Sequence, residues 1–499
     1  MINPLRFAAF TLATLALFAS SVCAQFKTAE PVPQQYAAGF NSITPTDSRE
    51  LLTKLVSTEF GGRGSGQEGF FKAAKWYAQQ LEKRGFKPGG TDGTWFQNVP
   101  LLKVGVKDTH LKLAGAKFDA KFGMSTFVGE GKAEGDIVFL NLTSATADIG
   151  KSEDYNGKIV VYQVAQPQRQ GRRRFFRPQM PATLRDAKPG ALIRVTTNAI
   201  LSDRVSDPAR GGRPTPPGGT PSVSLNVKDA NALAKACHLS PDFFAAGPKT
   251  DMVATAKARA NMQIEVLRET VEVPNVIGWY EGSDPDLKHE HVGLGAHLDH
   301  LGMRGDQMYP GADDNGSGST ALLQIAKAIH TNPVKPKRSV FLIVFCGEEI
   351  GLVGSKYYVA NPTRPTKDMV CMLNVDMIGR NEKNANETAD ENADTLHLVG
   401  SKRISTELHD LTIKANKHIG FRFEYDEEGV YTRSDHYNFA KKGIPITFIF
   451  AGFDRKYYHQ TADTIEGINF QKIVNGARLN YLCTMMAAEH GHFAKNAEE

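Results

Sequence analysis

Three textures of apolar and polar residues follow one another along the chain. Between Thr46 and Phe86 apolar residues recur at helical spacing. TPTDSRELLTKLVS offers capping residues before an apolar stripe, and GFFKAAKWYAQQLEKRGF ends at Gly85, so two helices are expected, the first starting near Thr46. Residues 25–45, rich in Pro, Gln and small side chains, read as an extended leader. From 126 to 262 short strand-like runs appear: GDIVFLNL, GKIVVYQV, ALIRVTT and SVSLNV. Gly/Pro-rich loops separate them, which predicts a smaller β-rich inserted domain. From about Val273 to Gly491 strand and helix patterns alternate. That predicts an α/β fold, a mostly parallel sheet sandwiched by helices. The expected division is therefore 46–125 and 263–491 as the two parts of a main domain, with 126–262 inserted.

The first residues, MINPLRFAAFTLATLALFASSVCAQ, have a basic start, an apolar stretch and small residues before Gln25. Residues 1–24 thus read as a secretory signal peptide, and the mature protein is expected to be secreted or periplasmic. No other segment is long and apolar enough to span a bilayer, so no stable membrane insertion is expected after signal removal. A length of 499 residues suggests two or three domains, and 41 % apolar residues suffice for a packed core. The formal net charge is +5, and losing residues 1–24, with Arg6 and no acid, leaves one charge less. Such a mild surplus does not point to a nucleic-acid partner. Cys237, Cys346, Cys371 and Cys483 lack framework or C-x-x-C spacing and read as inert buried thiols. The run RQGRRRFFRPQ (169–179) reads as a solvated loop, with contact to an anionic surface as its functional alternative.

The chemistry lies in the second half. His297, Asp314, Glu348, Glu349, Asp376 and His459 each follow an apolar run or open the helix after one. In open α/β sheets ligands bind outside the carboxyl ends of the strands, so such residues suit a metal site. Two imidazoles with three of the carboxylates suit zinc or a similar borderline ion. Asp299 is placed to orient His297 through its second ring nitrogen, and His300 reads as a bystander. Asp313 and Asp314 compete for one role, with an N-cap as the bland alternative. Of the adjacent Glu348 and Glu349, one would bind a metal and the other serve as general base. The set holds enough ligands for two ions sharing one carboxylate.

With FGGRGSGQEGFFKAAKWYAQQLEKRGF and SDHYNFAKKGIPITFIF, these motifs make the chain resemble the di-zinc aminopeptidase family. That family includes secreted bacterial leucyl-type aminopeptidases, glutamate carboxypeptidase and the transferrin receptor ectodomain. Residues 126–262 resemble its protease-associated domain. The resemblance implies a secreted zinc-dependent aminopeptidase with two zinc ions per chain, acting on peptide or protein N-termini. It implies that His297 and Asp376 bind one zinc, Glu349 and His459 the other, and that Asp314 bridges them. Glu348 would be the general base, Asp299 would orient His297, and Tyr458 would donate to the oxyanion. It also implies that Ser434 and Asp435 support the ligands and that the Asp314–Asn315 bond is cis. The alternatives are a carboxypeptidase or dipeptidase of the same fold, using Arg380 or Arg433 for a terminal carboxylate, a glutaminyl cyclase, and a non-catalytic receptor-like protein.

Overall fold

The computed structural model describes residues 26, 29–113, 116–124, 129–165, 180–196, 203–208, 219–244, 248–383, 388–425 and 428–497. The signal-peptide segment and the basic run 169–179 lie outside them. Helices α1 (Gln34–Ser42), α2 (Pro45–Leu55) and α3 (Glu68–Glu82) come first. Strands β1 (Phe96–Leu113), β2 (Gly131–Leu142), β3 (Ile159–Val164), β4 (Ala191–Thr196), β5 (Asp203–Ser206) and β6 (Ser222–Asn226) follow, then α4 (Val227–Ala236). The long β7 (Met252–Tyr280) leads into β8 (His291–His297), α5 (Gly318–Thr331), β9 (Ser339–Phe345) and α6 (Val353–Ala360). Then come β10 (Met369–Val375), β11 (Thr395–Val399), β12 (Arg422–Glu424), β13 (Ile446–Phe450) and α7 (Phe470–His490).

The strands run β12-β11-β13-β10-β8-β9-β7-β2-β3-β4-β6 across one continuous sheet. At its centre β13, β10, β8 and β9 are parallel, and every residue of β8, β9, β10 and β13 is buried. Near-continuous apolar strands are what a sheet covered on both faces requires. Helices α1, α5 and α7 cover one face. Ile325, Ile329, Leu479 and Leu482 join Val292, Leu294, Val340 and Leu342 in the main core.

The division expected at 262/263 falls inside β7. This strand pairs with β9 at its inner end and with β2 at its outer end, and β1 follows it from Ala260 to Val276. The smaller lobe is therefore an outgrowth of the same sheet, with its own core around Phe139, Val161, Ile193, Val223 and Phe244. The extended leader is also corrected, because residues 34–42 form α1. Tyr36 and Phe40 lie four residues apart on one face and are buried. Buried Arg478 of α7 donates to the carbonyls of Phe40 and Ile43. That helix end is satisfied by a residue more than 400 positions away, which no local pattern reveals. The four cysteines are buried and free, and among the described residues no helix is long and apolar enough to cross a membrane.

Candidate metal centre

Four parallel strands deliver the site. His297 ends β8, Glu348 and Glu349 follow β9 after a turn at Gly347 (φ 66°), and Asp376 follows β10. His459 lies on the loop after β13. Asp314 sits in the turn Ala312–Ser317 that opens α5, and its bond to Asn315 is cis. The Asn315 side chain donates to the Val375 carbonyl at 2.9 Å and accepts the Gly318 and Met377 amides, pinning this turn to the end of β10.

The six residues converge. His297 Nε2 lies 3.2 Å from Asp376 Oδ1, 3.4 Å from Asp314 Oδ1 and 3.9 Å from Glu348 Oε2. His459 Nε2 lies 3.0 Å from Glu349 Oε2 and 3.2 Å from Asp314 Oδ2. Asp314 thus turns one oxygen to each imidazole. Its neighbour Asp313 points elsewhere and accepts the Gly379 amide at 2.6 Å. His300 does not stand apart as its sequence context suggests. Its Nδ1 lies 2.7 Å from Glu349 Oε1 and 3.8 Å from Asp314 Oδ2. Gly64 pairs with His300 as an isolated bridge, and this contact from the N-terminal segment turns it inward. His297, Glu348 and Asp376 form one set of atoms close enough to hold a cation, and His300, Asp314 and Glu349 form another.

The surrounding groups are ordered. His297 Nδ1 faces the carbonyl of Asp299 at 2.9 Å. A proton there leaves Nε2 as the nitrogen available to a metal once the ring is neutral. The Asp299 carboxylate is farther from that ring, at 3.8 Å, and instead accepts the Glu348 amide and the Ser65 hydroxyl. Ser434 donates to Asp376 Oδ2 at 2.8 Å, and Asp435 beside it is fully buried. Asp463 accepts the amides of Asp313 and Asp314 and is paired with Arg380 at 2.9 Å. Tyr458 stacks on His459 with ring centroids 3.9 Å apart, and its hydroxyl accepts from Arg433 at 2.9 Å. Ser65 and Asp463 escape the sequence reading, and His300 is read there as a bystander. The H-x-D-H and H-x-x-x-D spacings around His297 and His459 are the signals that point to His300 and Asp463.

Electrostatics follow burial and neighbours. Burial, then Asp376, Glu349 and Asp435, hold the Glu348 carboxyl well above its usual range against the pull of His297. Glu349 is held well below that range although burial opposes it, because His300 and His459 flank it. Burial works against the charged His459 ring, yet hydrogen bonds to Asp314 and Glu349 push it up to about 10. Asp299 is pushed up to about 6 and Asp435 to about 7, chiefly by burial. Closely packed carboxylates repel unless cations lie among them. This donor set of carboxylate oxygens and imidazole nitrogens therefore fits divalent metal ions such as zinc. A third group, Glu382, His397 and Glu424, lies outside this centre. There the ring nitrogens face different carboxylates, at 3.1 and 3.6 Å, as in an imidazole bridging two acids.

Residues 275–482 match the family model of Peptidase family M28, and all six site residues lie inside that span. Over this stretch the chain is similar to peptidase family M28. A probable leucine aminopeptidase of Trichophyton verrucosum is 30 % identical over 203 residues, covering 39 % of this chain and 53 % of that protein. Leucine aminopeptidase 2 of Trichophyton rubrum is 29 % identical over 248 residues, covering 44 % and 45 %. The matches thus span about half the length of these relatives. The fold is shared with a zinc aminopeptidase from Bacillus subtilis, with a TM-score of 0.58, 19 % identity and coverage of 89 % of this chain and 95 % of that one. An aminopeptidase from Aneurinibacillus sp. strain AM-1 gives 0.52, 20 %, 93 % and 98 %.

Proposed function

We propose that this M28 protein is a secreted zinc-dependent aminopeptidase that hydrolyses N-terminal residues from peptides. The observation that carries the reading is Asp314, whose two oxygens face the imidazoles of His297 and His459, with Glu348 alongside. His297 and Asp376 would hold one zinc ion, Glu349 and His459 the other, and Asp314 both. His300, hydrogen-bonded to Glu349, orients that ligand. Bound there, zinc would act as a Lewis acid and make water a stronger nucleophile at neutral pH.

The chain's own residues do the rest. Glu348 takes the proton of the attacking water and passes it to the leaving amine. Burial keeps the Tyr458 phenol protonated, and Arg433 holds its hydroxyl, so it can donate to the oxyanion formed from the scissile carbonyl. Met377, Val430, Phe448, Phe450 and Phe453 line the cleft beside these groups, which favours apolar side chains at the substrate N-terminus. Arg380 is buried on Asp463 and is committed there. Arg433 lines the cleft and supports a second reading, a dipeptidase that grips a terminal carboxylate.

The test is hydrolysis of aminoacyl-p-nitroanilides by the purified protein before and after chelation and zinc repletion. Chelation should abolish cleavage, zinc should restore it, and leucyl or phenylalanyl substrates should lead. A zinc-loaded protein that cleaves dipeptides and no anilide would move the assignment to the second reading.

A further inference from the structure

Ser65, in the loop between α2 and α3, touches the turn that carries the proposed base without belonging to the ligand set. Its hydroxyl donates to Asp299 Oδ2 at 3.0 Å and accepts the Gly347 amide at 2.9 Å. Asp299 Oδ1 accepts the next amide, that of Glu348, at 3.2 Å. Two successive amides of the turn that carries the base are thus held by two side chains that are themselves hydrogen-bonded. The carbonyls of the same two residues are taken by Val353, Gly351 and Leu352, at the start of α6. The turn is therefore gripped from both ends, and its grip on the β8 side runs through Asp299 and Ser65 together.

Ser65 is itself fixed in place. Before it, buried Arg63 and Gly64 contact the His300 segment, with the His300 amide donating to the Arg63 carbonyl. After it, Gly66 has φ 78°, and a Cβ there would lie 2.7 Å from Val205 of β5. Val205 thus packs against Ser65's neighbour, and two hydrogen bonds hold the hydroxyl itself. We infer that Ser65 is a positioning residue for the general base, acting through Asp299 and the Gly347–Glu348 amides; this rests on the role proposed above for Glu348. A base displaced by a fraction of an ångström transfers its proton less well while the ligands and the apolar cleft stay as they are.

The experiment compares zinc-loaded wild type, Ser65→Ala and Ser65→Thr for kcat, KM, metal content and amide hydrogen exchange across Gly347–Glu349. Ser65→Ala should lower kcat by about 10- to 100-fold, the range for partners that orient a site group, with KM within about threefold of wild type. Its metal content should be unchanged and exchange of the turn faster, while Ser65→Thr, which keeps the hydroxyl, should stay close to wild type in all four. Unchanged kcat and exchange in Ser65→Ala, an equal loss in both variants, or a loss that follows missing metal would each overturn the inference. If wild type itself cleaved no peptide, the proposed function would fail, and the exchange rates would still report whether Ser65 holds the turn.

Discussion

The Arg63 guanidinium lies 2.8 Å from the carbonyl of Leu298, the residue after His297, and it is completely buried. It also donates to the carbonyls of Leu55, Pro310 and Gly311. One side chain thereby ties the end of α2 to the loops bearing His297 and Asp314. Burial pulls its pKa down to about 10, while Asp463, Asp314, Asp299 and Glu349 oppose that shift. Lysine offers a single point of charge and cannot reproduce a planar fork on four acceptors. Arg63→Lys should therefore cost about 2–4 kcal/mol, the scale of a broken buried network. Urea unfolding would show this, and a loss below about 1 kcal/mol would mean the carbonyls find water instead.

Glu348 is set apart from Glu349 by its neighbours, although the two are adjacent. Glu349 is flanked by two imidazoles, whereas Glu348 lies 3.9 Å from the one histidine it faces. Glu348→Gln keeps the volume and loses the proton acceptor. It should lower kcat by about 10²–10⁴-fold, the usual worth of a general base, with zinc content retained. The matching change at Glu349 should instead lower zinc content. Equal zinc loss in both variants would remove the distinction between base and ligand.

The central sheet is legible in the sequence because buried parallel strands are apolar throughout, and His297, Glu348 and Asp376 are visible because polarity returns abruptly where those runs stop. Arg63 and Ser65 are different. Apart from the Leu55 carbonyl, their partners are backbone groups and a carboxylate more than 200 positions away, and nothing in FGGRGSG marks which way they point. His300 has no local partner, and the one it has, Glu349, follows the neighbouring strand β9. Helix α1 is hidden for the same reason, since Arg478 of α7 and Asn332, just past the end of α5, hold it from far along the chain. Local pattern carries burial and strand ends; it does not carry which buried polar group meets which.

Acid stability should depend on a histidine outside the site. His291 opens β8, is fully buried, and packs between Trp279 and Phe341. Burial lowers its pKa to about 4, against an ordinary value of 6.5. The folded chain favours the neutral ring, so this contribution is fully present above about pH 6.5 and is lost as pH falls through about 4. Over that window it amounts to about 3 kcal/mol. His291→Leu should flatten this part of the stability–pH curve. An unchanged slope would place the acid sensitivity in other groups, with buried His436 next in line because its pKa is lowered to about 3.

Metal uptake should release protons. His459 is held up to about 10 by Asp314 and Glu349, and His297 well above its ordinary value by Asp376 and Glu348, so both rings carry protons at neutral pH when carboxylates are their only partners. A metal ligand must be the neutral imidazole, so each ion that takes one of these rings displaces a proton. Zinc titration of chelated protein at pH 7, by calorimetry in buffers of different ionisation enthalpy, should show about one proton released per ion. The apparent affinity of each site should fall by about tenfold for each pH unit lost, as linkage of one proton to one binding event requires. Zinc binding with no buffer dependence would mean that the two rings are already neutral in the metal-free protein or stay outside the coordination shell, and would overturn the expected protonation.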